Sequence, residues 1–73
     1  MVSRESFINK IRELGYTFKD QQKRTYLWRK VGGTHFIPVP KSDNLSDDFV
    51  ISSLRHAGCK DPEIQAFLSS AKT

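Results

Sequence analysis

A single cysteine, Cys59, stands in a chain of 73 residues. One thiol excludes an intramolecular disulfide and any cysteine-based metal site such as a zinc finger. Long apolar runs are missing too. None approaches the roughly 20 residues of a membrane-spanning helix, and no secretory signal opens the chain. No membrane is therefore expected as a partner, and the sequence reads as that of a cytoplasmic protein. Internal repeats and low-complexity segments are absent. Histidine is scarce, with only His35 and His56, so proton transfer near neutral pH has few residues to use. The length allows one domain, residues 1–73. A chain this short buries only about 60% of its unfolded surface, so one small core must hold it together.

Charge is present, and unevenly spread. Residues 1–41 carry nine Lys/Arg against Glu5, Glu13 and Asp20, a net of +6, whereas residues 42–73 carry a net of −2. A basic first half joined to an acidic second half points to a polyanion on one side of the molecule, nucleic acid ahead of mere solubility.

The stretch Tyr16 to Lys41 organises the rest. Its period-two pattern predicts three antiparallel strands, at about Tyr16–Asp20, Arg24–Lys30 and Thr34–Val39. Asp20-Gln21-Gln22-Lys23 reads as an exposed polar loop. Val31-Gly32-Gly33 reads as the tight connection between the second and third strands. Pro38 and Pro40 cannot donate to a ladder, so the third strand is expected to be an edge or to end there.

Helical patterns flank the strands. Ser3 is a suitable N-cap for a helix over Arg4–Leu14 whose apolar stripe is Phe7, Ile8, Ile11 and Leu14, with Gly15 just past its end. Ser46 caps a second helix over Asp47–Ala57, with Val50, Leu54 and Ala57 inward and Gly58 as terminator. Cys59 then reads as a small apolar plug against Leu54. Asp61-Pro62-Glu63 reads as N-cap, N1 and N2 of a short third helix whose narrow apolar stripe, Ile64, Phe67 and Leu68, is either a brace on the core or a surface for a partner. The expected fold class is α+β, α-β-β-β-α(-α), a three-stranded antiparallel sheet with helices packed on one face and the other left open.

The order, together with Leu14-Gly15-Tyr16, Phe18, Gln21, Lys23-Arg24, Trp28, Ile37-Pro38-Val39-Pro40 and Leu54-Arg55-His56-Ala57-Gly58, resembles the HicA toxin family, which has a double-stranded-RNA-binding-domain-like fold. The resemblance implies a toxin–antitoxin-type domain that binds RNA, mRNA in particular. It also implies a metal-independent endoribonuclease (mRNA interferase) and a HicB-like antitoxin protein as partner. In the family pattern a glycine, a serine and a catalytic histidine enter the second strand. Here Lys23, Arg24 and Thr25 stand in those places, and a threonine cannot accept and return protons near neutral pH. RNA cleavage is therefore an open question. The alternative is a non-catalytic interaction module on the same fold, binding RNA or a protein partner.

His35, expected in the third strand beside Thr25, is the one substitute for the missing base. His56, in the last turn of the second helix, is a position where the helix dipole favours a cation. Asp43, Asp47 and Asp48 form the one acidic cluster. Such a cluster could in principle hold a magnesium ion, but helix capping accounts for two of the three, so no metal and no cofactor is expected. Binding has broader support than chemistry. Lys19, Lys23, Arg24, Arg29 and Lys30 are concentrated on the first two strands and their connection, where they would neutralise phosphates. Tyr26 lies among them and reads equally as a base-stacking ring or as core. Trp28 shares its face and reads as core, because a domain this small needs its largest apolar residue.

Overall fold

The computed structural model describes residues 1–71. The elements are β1 (Val2–Ser3), α1 (Arg4–Glu13), β2 (Tyr16–Gln21), β3 (Thr25–Lys30), β4 (Phe36–Pro40), β5 (Asn44–Leu45), α2 (Asp47–His56) and α3 (Asp61–Ala71). The fold is α+β. Strands β2, β3 and β4 form one antiparallel sheet in that order, and β1 pairs with β5 in a separate two-stranded ribbon.

The ribbon has no counterpart in the sequence pattern, because its strands are two residues long and show no alternation. It exists because both helices begin in the same way. Ser3 accepts a hydrogen bond from Ser6 N–H at 3.1 Å, and Ser46 accepts one from Phe49 N–H at 3.2 Å. The residue before each cap, Val2 or Leu45, is buried, as is the residue four places after it, Phe7 or Val50. That is the hydrophobic-staple arrangement, which fixes the angle at which the chain enters a helix. Val2 and Leu45 face each other across the ribbon.

The helix ends follow glycine. At Gly58, φ is +96°, a conformation that side chains with a Cβ adopt only with strain. Gly58 N–H donates to the Arg55 carbonyl at 3.0 Å and Cys59 N–H to the Leu54 carbonyl at 2.9 Å, the paired bonds of a Schellman ending. This turn drives Cys59 into the core. Burial pushes its thiol pKa up, and the Glu63 carboxylate adds to the rise against the opposing Lys10. A thiol held neutral in this way is a poor nucleophile. Helix α3 starts one residue earlier than the sequence signal implied. Lys60 offers its carbonyl to Ile64 N–H, and the Asp61 carboxylate turns outward to Arg55 Nε at 3.2 Å instead of capping. Ile64, Leu68 and Ala71 of α3 are buried, so this helix braces the core.

The β2–β3 connection also differs from expectation. Asp20 and Gln21 continue β2, a bulge falls between Phe18 and Asp20, and the reversal is tight, with Gln22 N–H donating to the Thr25 carbonyl at 2.8 Å. The β3–β4 connection is longer than expected. Thr34 and His35 lie outside β4, and the Lys30 N–H to His35 carbonyl bond, 3.1 Å, closes the loop.

Bonds at both ends of the β3–β4 ladder, Lys41 N–H to the Arg24 carbonyl and Lys30 N–H to the His35 carbonyl, set its alternation. By that alternation Pro38 and Pro40 point their nitrogens away from β3. The prolines therefore remove donors from the free edge without costing the sheet a bond.

The core joins one sheet face to the helices. Tyr16, Trp28, Ile37 and Val39 meet Phe7, Ile11, Val50, Leu54 and Ile64. By register, Thr17, Arg29 and Phe36, then Asp20, Leu27 and Pro38, lie across the opposite, open face. Among the described residues no helix is long and apolar enough to cross a membrane.

Candidate nucleic-acid interface

Strand alternation disperses the basic residues singled out from sequence. Lys23 and Arg24 sit at the β2–β3 turn, and Lys19 is at the bulge. Arg29 is on the open face, opposite Thr17, whereas Lys30 lies opposite Tyr16 at the far end of the hairpin. A strand rises about 3.3 Å per residue, so the turn and Lys30 are separated by roughly 16–20 Å. These five cations form no single patch.

Thr25 is half-buried on the open face, and its hydroxyl donates to Gln22 Oε1 at 3.2 Å. His35 is not beside it. Thr25 pairs with Pro40, while His35 precedes Phe36 at the other end of the ladder. The imidazole points instead to the covered side, where the Tyr16 hydroxyl hydrogen-bonds its Nδ1. Among the described residues, neither histidine therefore neighbours Thr25. The expectation of His35 as a displaced base fails on geometry, because His35 closes a connection and is not part of the strand.

A different set of cations converges. Trp28 is 4% exposed and Phe18, directly across the ladder from it, is 53% exposed. Trp28 thus takes the core place expected of it, while Phe18 remains open at the β2 margin. The Phe18 ring meets Trp28 edge-on at a centroid separation of 5.9 Å and Tyr26 at 6.3 Å. Tyr26 is half-buried and packs on the core from its rim. Cations lie over the two strand-β3 rings. Arg12 is 5.3 Å from the Trp28 centroid, Arg4 is 5.3 Å from that of Tyr26, and the Lys41 ammonium is 5.1 Å from Tyr26. Such contacts are favourable because the ring face is negative.

Sequence reasoning counted Arg4, Arg12 and Lys41 only as net charge. The signal was there: Arg4, Ile8 and Arg12 recur every fourth residue and so share one helix face beside the apolar stripe. Arg4 also donates from Nη1 to the Lys41 carbonyl and lies 3.9 Å from the Asp43 carboxylate, which holds the segment after β4 against α1. Trp28 Nε1 is buried without an acceptor among the described residues. Arg12 is exposed.

The arrangement joins two chemistries that a nucleic acid requires. An accessible ring can stack on a base, and cations over the two rings beside it can neutralise phosphates. Among the described residues no group of three or more His, Cys, Asp or Glu side chains could hold a metal ion. No family model, no curated protein and no solved structure matches the chain.

Proposed function

We propose that this is a HicA-like RNA-binding domain that grips single RNA segments along the α1–β2 margin and lacks the means to cut them. The observation that carries the reading is the exposed Phe18 ring, backed by Tyr26 and Trp28, with Arg4, Arg12 and Lys41 against those rings. The α-β-β-β-α-α order, with helices on one sheet face, agrees with the fold that the resemblance implies. The absence of cleavage rests on Thr25, whose neighbours Gln22, Lys23 and Arg24 supply no general base.

The test is a direct one. Purified protein is incubated with mixed RNA in the presence of a chelator, beside the Thr25→His variant, and binding is followed in parallel by gel shift. Binding by both, with cleavage by the variant alone, supports an RNA site deprived of its catalytic group. Cleavage by the parent overturns the non-cutting reading, and failure of both to bind overturns the RNA reading.

A second reading has its own observation. The open sheet face carries Leu27, Pro38 and Phe36, the last 43% exposed. An apolar strip of this kind suits a protein partner, which on the family resemblance is a HicB-like antitoxin.

A further inference from the structure

The chain has two histidines, and the fold brings them together. Their rings lie 6.1 Å apart and 29° from parallel. His35 comes from the β3–β4 connection, and His56 from the last turn of α2. With Phe36, Ile37, Pro38 and Ser53 they line a notch of about 240 Å³. Neither histidine takes part in the cation–aromatic margin or neighbours Thr25, so the RNA reading leaves this cluster unused.

One imidazole is already oriented. The Tyr16 hydroxyl is hydrogen-bonded to His35 Nδ1, and its ring is buried and edge-on to the imidazole at 5.8 Å. This leaves Nε2 as the free nitrogen of His35. When Nδ1–H donates to the phenol oxygen, Nε2 presents its lone pair outward, the tautomer that a metal-ligating histidine needs. His56 is exposed, so its ring can turn a nitrogen toward the notch.

The surroundings favour a cation. The notch adjoins the C-terminal turn of α2, where the aligned peptide dipoles present negative charge. The neighbouring Arg55 is paired with Asp61, Nε to Oδ1 at 3.2 Å. The rings are stacked as they stand, so an ion held about 2.0–2.1 Å from one nitrogen of each requires the exposed His56 ring to turn.

We infer that His35 and His56 form a two-imidazole site for a borderline divalent transition-metal ion of the zinc, copper or nickel type. Imidazole is the ligand that this group of metals shares. No third His, Cys, Asp or Glu joins the pair among the described residues. Solvent completes the coordination, which makes this an open site of modest affinity and not a structural one. A bound ion would tie the β3–β4 connection to α2.

Zinc chloride alone is the probe, titrated calorimetrically into the chain free of any affinity-tag histidines. The expected result is one ion per chain at neutral pH. His56→Ala lies on the surface and keeps the fold. It should lower affinity at least about tenfold and abolish the zinc-dependent rise in melting temperature seen for the parent. Tyr16→Phe should weaken binding about tenfold while keeping the stoichiometry, since it removes only the group that orients His35. No saturable heat, parent-like binding by His56→Ala, or one ion per two chains would each overturn the site.

Discussion

Two groups of positive side chains can be compared in this molecule. One, Lys19, Lys23, Arg24, Arg29 and Lys30, is close together in sequence and scattered in space. The other, Arg4, Arg12 and Lys41, is distant in sequence and gathered on two adjacent rings. The difference is geometric. A hairpin sends neighbouring residues to opposite faces and carries them apart at about 3.3 Å each, whereas a helix brings every fourth residue back to one side. Charge density along a chain is thus a poor guide to charge density on a strand-built surface. Aromatic rings are the better guide, because they fix where cations settle.

Breaking the margin should have the largest effect. Phe18→Ala removes the exposed stacking ring and should weaken RNA binding by about 1–3 kcal/mol, as measured by fluorescence anisotropy with the fold checked by circular dichroism. Next comes the direct contest between the two groups. Arg12→Ala with Lys41→Ala should lower the salt dependence of RNA binding by about one to two counterions. Lys23→Ala with Arg24→Ala should lower it by less, and the reverse order would move the interface to the hairpin turn.

Stability measurements sharpen the same comparison by separating support from contact. Gly58→Ala places a Cβ where φ is +96° and should cost about 1 kcal/mol or more in urea unfolding without touching RNA affinity in the folded protein. Burial raises the Cys59 pKa in the folded chain, so the unfolded chain loses its thiol proton first. Stability is therefore fully present below the ordinary thiol value of about 8.5 and declines as pH rises beyond it. Cys59→Ala should flatten that decline. The smallest effect belongs to Trp28→Phe. It removes an indole N–H that has no acceptor, so the lost volume is offset in part and unfolding should show a milder cost than for a hydrogen-bonded tryptophan.

Much of the architecture was legible in the sequence. Ser3, Ser46, Gly15 and Gly58 marked the limits of α1 and α2, and Pro38 and Pro40 marked β4 as either an edge or near its end. Trp28 was assigned to the core by size alone. What could not be read depends on contacts between distant segments. The bulge that carries β2 on to Gln21, and the five-residue connection that takes His35 out of β4, follow from register, which local composition does not encode. The candidate site was half legible for the same reason. Tyr26 was named, but Phe18 was treated only as a strand residue. Its exposure, across the ladder from the buried Trp28, is a tertiary fact that the strand pattern does not carry.

The ribbon that joins Val2 to Leu45 has a consequence for the order of folding. Two paired residues cannot stand alone, and closing them spans roughly 40 residues of chain. The β2–β3–β4 meander, built from nearby contacts, can form early; the ribbon must wait for it and close last. In the native protein it should correspondingly be the first seam to open. Since Val2 and Leu45 are also the staples of α1 and α2, one such opening would loosen the starts of both helices together. Amide exchange at Arg4, whose N–H donates to the Asp43 carbonyl at 2.8 Å, and at Phe49, capped by Ser46, should then share a single rate-limiting event.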